Sequence, residues 1–302
     1  MLELSKILVI IEPDIDSHGI MKKAMQLASY TESEVELMIA DYSSYLEDGF
    51  YFDPLQAQAL RYEHADQRIN ELEILAKPLR QGGLVVTVTT AWGNPPYAEI
   101  VGRIRDTKPS LVLKATRQHH KISSLLLSNE DWELIRYCPA PLLLAKGRQW
   151  RVNPLIVAAV DPNHMHDKPV ALDDNIVSSA SSMAAISGGQ VHLFHSVCVP
   201  PIAEAHSLQK NAEAKRSKLT DLATRHGICK TCCHWSTENV VNALPAKAKE
   251  LKASVVVMGA VSRSRLDRIL IGNTAEKVLD KLECDVLIIK PDQMPNLNEV
   301  ML

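Results

Sequence analysis

No apolar stretch in these 302 residues approaches the roughly 20 that carry a helix across a bilayer. The opening MLELSKILVIIEPD also lacks a small-residue cleavage site; its short apolar run ends in acids, so it is read as a first strand and not a secretion signal. Nor does the chain lean towards one charge. Lys and Arg number 33 against 36 Asp and Glu, a formal net charge of -3 with a pI of about 6.4. The basic footprint that DNA or RNA binding needs is therefore missing. Cysteine is sparse and irregular: Cys138, Cys198, Cys229, Cys232, Cys233 and Cys284 form no disulfide framework. A cytoplasmic location with free thiols is expected. Signatures of catalysis are absent too. The chain has no Gly-x-Ser-x-Gly elbow, no kinase motif set and no Walker lysine. No pair of carboxylates stands out, so no nucleophile or base can be named and no enzyme is predicted.

What is present is a repeat. Ser110-Leu111-Val112-Leu113-Lys114-Ala115 lies over Ser254-Val255-Val256-Val257-Met258-Gly259, an offset of 144 positions. The same offset carries Asn129 onto Asn273 and Pro141 to Lys146 onto Asp285 to Lys290 without a gap. Nearer the two starts, Lys6 to Pro13 lies over Leu155 to Pro162 at a slightly larger offset, so loop lengths have drifted. The polar stretch Gly147 to Pro154 lies between the copies, dividing the chain into domains 1–150 and 151–302. The hydrophobic share of 46% and charged share of 23% suit a packed core in each.

Within each copy, short runs of Val, Ile and Leu alternate with longer amphipathic stretches, the rhythm of β-α-β units around a buried parallel sheet. Strands are predicted at Lys6 to Ile11, Glu34 to Ala40, Leu84 to Ala91, Ser110 to Lys114 and Pro141 to Ala145. In the second copy they fall at Leu155 to Val160, Gln190 to Ser196, Lys230 to Trp235, Ser254 to Met258 and Asp285 to Lys290. Helices are placed at Gly19 to Ser29, Gln56 to Gln81, Asp173 to Ile186 and Thr274 to Leu282. The fold class is thus α/β, two tandem doubly wound five-stranded parallel sheets. Such sheets bind ligands beyond the carboxyl ends of the strands, where strand order reverses.

At the end of the fourth strand of copy two the chain reads Met258-Gly259-Ala260-Val261-Ser262, and nine residues separate Ser262 from Gly272-Asn273-Thr274 at a helix start. A glycine after a strand lets backbone approach a phosphate, and one before a helix offers free amides and the positive end of the helix dipole. Asn273 and Thr274 add side-chain donors. The bland alternative is a simple strand exit with Asn273 or Thr274 as a cap. With the order of elements, this spacing resembles the universal stress protein family, whose motif is Gly-x2-Gly-x9-Gly-(Ser/Thr). The resemblance covers nearly the whole chain and implies a small cytoplasmic stress-response protein of the adenine nucleotide alpha hydrolase-like fold. It further implies a tandem chain similar to a dimer fused end to end, with further homodimerisation open.

Carried over on matching positions, Gly259, Ser262, Gly272 and Asn273 would hold phosphates, with Thr274 beside them. Asp161 would contact the adenosine part and Ser196 would lie near the base. Two positions depart from the motif: Ser262 replaces the second glycine and Asn273 the final Ser or Thr. No cofactor is fixed by this, but ATP or another small ligand is implied for copy two. Copy one departs further, with Ala115, Gln118 and Ser128 in place of the three glycines and Glu12 as its acid. It is expected not to bind ATP in the family's manner. An interaction scaffold without a nucleotide and a slow nucleotide hydrolase are the alternatives from other classes.

Three further groups hold side chains able to bind a metal or an anion. Cys229-Lys230-Thr231-Cys232-Cys233-His234 has zinc-like spacing but no second ligand pair, which favours plain thiols. His164-Met165-His166-Asp167 reads as a solvated loop near the crevice, and Arg117-Gln118-His119-His120-Lys121 as a small basic surface cluster.

Overall fold

The computed structural model describes residues 4–13, 16–46, 53–116, 127–146, 149–162, 171–197, 216–259 and 272–291. The first half runs β1 (Lys6–Ile10), α1 (His18–Thr31), β2 (Glu34–Asp41), α2 (Pro54–Gln81), β3 (Val86–Trp92), α3 (Pro96–Thr107), β4 (Leu111–Ala115), α4 (Asn129–Tyr137) and β5 (Leu142–Ala145). The second half runs β6 (Leu155–Ala159), α5 (Leu172–Ser187), β7 (Gln190–Ser196), α6 (described over 216–225), β8 (Cys233–Ser236), α7 (Val240–Glu250), β9 (Val255–Gly259), α8 (Asn273–Leu279) and β10 (Asp285–Ile289). No helix among the described residues is long and apolar enough to cross a membrane.

The strands form one sheet in the order β3-β2-β1-β4-β5-β10-β9-β6-β7-β8. Among the described residues pairing is parallel within each half and antiparallel only where β5 meets β10. The two expected five-stranded sheets are therefore halves of one ten-stranded sheet whose order is the same from either end. At its centre Leu143 pairs with Leu287, its own counterpart at the repeat offset of 144, so a pseudo-two-fold axis passes between them.

Because both faces of the central strands are covered, they are mainly apolar: Ile7, Leu8, Val9, Leu111, Val112 and Leu113 are all fully buried. One face packs α1, α2, α5 and α6 through residues such as Leu27, Leu72, Ile176 and Leu222. The other packs α3, α4, α7 and α8 through Ile104, Leu134, Leu244 and Val278. Local chemistry sets the ends. Asp53 caps α2 by accepting from the Leu55 and Gln56 amides at 3.0 Å, with Pro54 at the first helical position. The eighth strand begins at Cys233, later than the predicted Lys230, because Lys230–Cys232 wind into a 3-10 turn closed by Cys232 N donating to Cys229 O at 2.9 Å. α8 likewise stops at Leu279, short of Leu282, and the chain turns at 280 and 281.

The seam between the halves holds buried charge. The Asp285 carboxylate, at the start of β10, takes the Lys23 ammonium from α1, the Lys146 amide at 2.8 Å and the Trp150 indole N–H at 2.7 Å. Lys23 also lies 5.0 Å from the Trp150 ring centroid. On either side a lysine past the last strand reaches across the axis. Lys146 Nζ donates to Leu282 O at 2.6 Å, and its counterpart Lys290 donates to Arg136 O at 2.5 Å. Burial pushes the Lys290 ammonium down to about 8.

Candidate functional site

In each half strand order reverses between the first and fourth strands, so the two equivalent crevices lie beyond β1 and β4 and beyond β6 and β9. Their contents differ.

In copy one the crevice is filled by the protein's own charges. Lys114, next to last in β4, is fully buried. Its ammonium pairs with Glu12 just past β1, with Asp131 Oδ1 at 3.0 Å and with Glu130 Oε1 at 3.4 Å, both in the first turn of α4. Burial alone would lower the Lys114 ammonium, but Asp131, Glu12 and Glu130 outweigh it and hold it above the usual lysine range. Three carboxylates share this one cation, and Glu130 is pushed up by burial and by the neighbouring acids. The third glycine of the motif is Ser128 here, and it closes a capping box. Its Oγ accepts from Asp131 N at 3.2 Å, while Asp131 Oδ2 accepts from Ser128 N at 2.7 Å. An amide that could hold an anion is thereby used internally. The space left beside Glu12, Ser17, Ala115 and Thr116 is about 20 Å³, enough for one water.

The flank at the end of β2 is also occupied. Asp41 accepts from Arg68 Nε at 3.1 Å and lies 2.9 Å from His64 Nε2, both on α2. His64 meets the Trp92 ring edge-on at 5.5 Å. Burial would raise the Asp41 carboxyl, but the bonds from His64, the Tyr42 amide and Arg68 keep it below the ordinary carboxylate value.

Among the described residues copy two lacks this filling. At the positions of Lys114, Glu130 and Asp131 it has Met258, Thr274 and Ala275. Asp161, past β6, keeps a side chain 31% exposed; its backbone amide donates to Asp173 Oδ1 at 3.1 Å. The buried His195, on β7, donates through Nδ1 to Val160 O at 3.0 Å and lies 3.7 Å from Asp161 Oδ1. Gly272 caps α8 with no side chain to take its amides, and Asn273 and Thr274 open that helix exposed. Gly259 ends β9, and a Cβ there would meet Leu172 Cδ2 at 3.0 Å, a tight approach to the end of that side chain that favours a small residue where α5 packs onto the strand. Ser196 is at the end of β7 with its hydroxyl donating to Glu238 O.

Asp161 and Gly259 thus sit at the ends of strands that pair side by side, and Gly272 opens the helix leading to the next strand. Ser262, His164, His166 and the cluster 117–121 lie outside the described residues. In the cysteine group Cys229 is exposed and Cys232 buried, and no cluster of three metal ligands occurs among the described residues. The sequence reading passed over Lys114 and its carboxylates. The available signal was a lysine inside an otherwise apolar strand, where its repeat counterpart is Met258.

An open parallel sheet, doubly wound, duplicated and joined edge to edge with a crevice in each half, defines the class: a tandem doubly wound α/β protein. The family model described as the universal stress protein family matches residues 3–146 and 156–290, and the chain belongs to that family. It is 27% identical over 296 residues to Universal stress protein E of Escherichia coli K12, covering 95% of this chain and 94% of that protein. A Universal stress protein E homolog of Haemophilus influenzae is 25% identical over 310 residues, covering 97% and 99%. Among solved structures, a universal stress protein of Pseudomonas aeruginosa UCBPP-PA14 aligns with a TM-score of 0.75 at 28% identity, covering 96% of this chain and 95% of that one.

Proposed function

We propose that this chain is a non-enzymatic, cytoplasmic stress-response protein in which copy two alone keeps a nucleotide crevice and copy one serves as its fixed partner. The observation that carries this reading is the Lys114 ammonium, held by Glu12, Glu130 and Asp131 where a ligand would enter copy one. Copy two, with Thr274 and Ala275 where copy one has Glu130 and Asp131, sets no carboxylate at those two places against an incoming phosphate. Asp161, Gly259, Ser262, Gly272, Asn273 and Thr274 are the proposed contacts, with Ser196 near the base.

Titration calorimetry with ATP tests this. Saturable binding that a Gly272→Val variant abolishes supports it, because a side chain at the helix start would crowd the phosphate. No binding at millimolar ATP would sink the nucleotide reading. ATP turnover by purified protein, lost in the same variant, would replace it with a hydrolase. One observation favours a scaffold with no nucleotide: a Cβ at position 259 would crowd Leu172, so packing by itself gives a reason for a small residue there.

A further inference from the structure

A cavity of about 300 Å³ opens at the seam, at the opposite ends of β9 and β10 from the crevice of copy two. That volume is at the lower end of sites that enclose small molecules. Residues of both halves and of the segment joining them line it.

Among the described residues six charged groups border the cavity, and four of them are committed. The Asp285 carboxylate is held by Lys23, Lys146 N and Trp150 Nε1. Lys146 Nζ is taken by Leu282 O, and Glu283 pairs with Lys249 at 3.0 Å. Arg151 and Lys252 remain, both exposed and neither with a partner among the described residues. Two free cations therefore border a concave site whose own acids are already neutralised.

A third donor points the same way. Ser254 is the repeat counterpart of Ser110. In copy one the Ser110 hydroxyl is fully used: it accepts from Ser5 N at 3.0 Å and Lys6 N at 3.1 Å and donates to Lys6 O at 2.8 Å. In copy two the Ser254 hydroxyl has no hydrogen bond among the described residues, and it lines the cavity. The wall beside these groups is the Trp150 indole, fixed by its bond to Asp285. A guanidinium, an ammonium and a hydroxyl around one concavity match the separate oxygens of a phosphoryl group, which takes several charge-assisted bonds at once.

We propose that the seam cavity binds a small phosphate monoester, its phosphoryl oxygens held by Arg151, Lys252 and the Ser254 hydroxyl and its remainder lying towards Trp150. The site is separate from the crevice of copy two and does not depend on ATP binding there. Because Trp150 belongs to the first half and Arg151, Lys252 and Ser254 to the second, the ligand would bridge them and raise the stability of the pair by mass action.

The test is titration of the full chain with ribose 5-phosphate and, separately, inorganic phosphate, followed by calorimetry and tryptophan fluorescence. One saturable site per chain is expected for ribose 5-phosphate. Arg151→Ala and Lys252→Ala should each weaken it about tenfold, the effect of losing one charge-assisted bond. Both residues are exposed, so these variants keep the fold, and Ser254→Ala should weaken binding less. Gly272→Val should leave it unchanged. The proposal is overturned if neither probe binds at millimolar concentration, if the Arg151→Ala/Lys252→Ala double variant binds like the parent, or if Gly272→Val abolishes binding.

Discussion

Desolvating an ammonium costs several kcal/mol, and a buried lysine persists only where acids compensate it. Lys114 meets that condition with Glu12, Glu130 and Asp131, so its replacement leaves carboxylates buried without a cation. Lys114→Met, which installs the residue of copy two, should cost about 3–5 kcal/mol in urea unfolding. Adding Glu130→Thr and Asp131→Ala, the other two residues of copy two, should recover part of the loss; strict additivity would refute the cluster. The thiols give a second prediction at this scale. Burial pushes Cys138 up to about 11 and Cys284 up to about 12, whereas the Thr231 hydroxyl beside the exposed Cys229 lowers its thiol. Among the described cysteines, iodoacetamide at neutral pH should modify Cys229 first, and Cys138 and Cys284 only on unfolding. Early labelling of Cys284, read by peptide mass mapping, would contradict the seam packing.

Edge elements carry the acid sensitivity of copy two. His192 on β7 and His234 on β8 stack with ring centroids 5.0 Å apart, and His192 Nδ1 lies 2.7 Å from His234 Nε2. Burial lowers both imidazoles, and each ring's neighbours add to this: His234 acts on His192, and Lys247 on His234, with Glu250 opposing weakly. The folded pair stays neutral while unfolded histidine protonates near pH 6.5, so stability should fall as pH drops through that value towards the lowered folded values. His234→Gln should flatten this slope in denaturant melts taken between pH 7 and 5; an unchanged slope would exclude the pair. The strands themselves were legible, because parallel strands buried on both faces read as unbroken runs such as Leu111 to Leu113. The ends were less so. Thr231 and Cys232 sit next to an apolar-looking stretch, yet Cys229 O closes a 3-10 turn that delays β8, a contact that residue type does not reveal.

The whole molecule is two copies closed on each other, and the gapless offset of 144 made the register of the seam visible once β5 and β10 proved to pair through Leu143 and Leu287. The edge-to-edge joining was not legible, since nothing in a buried strand's composition names its neighbour. Nor was the copy-one cluster, whose members come from the turn after β1, from β4 and from α4 and meet only in space. Asp285 stands where copy one has Pro141, so the seam network exists once and not twice. Asp285→Asn leaves Lys23 buried without its counter-charge and should cost about 3–5 kcal/mol, splitting the calorimetric unfolding peak as the halves uncouple. A single peak at the parental temperature would show that the network does not hold the halves together. The central claim, that Lys114 and its carboxylates have closed one crevice of an otherwise repeated pair, is tested most directly by counting nucleotides. Native mass spectrometry and calorimetry at saturating ATP should find one per chain, lost in Gly272→Val. Two per chain, or one that survives Gly272→Val, would contradict the account.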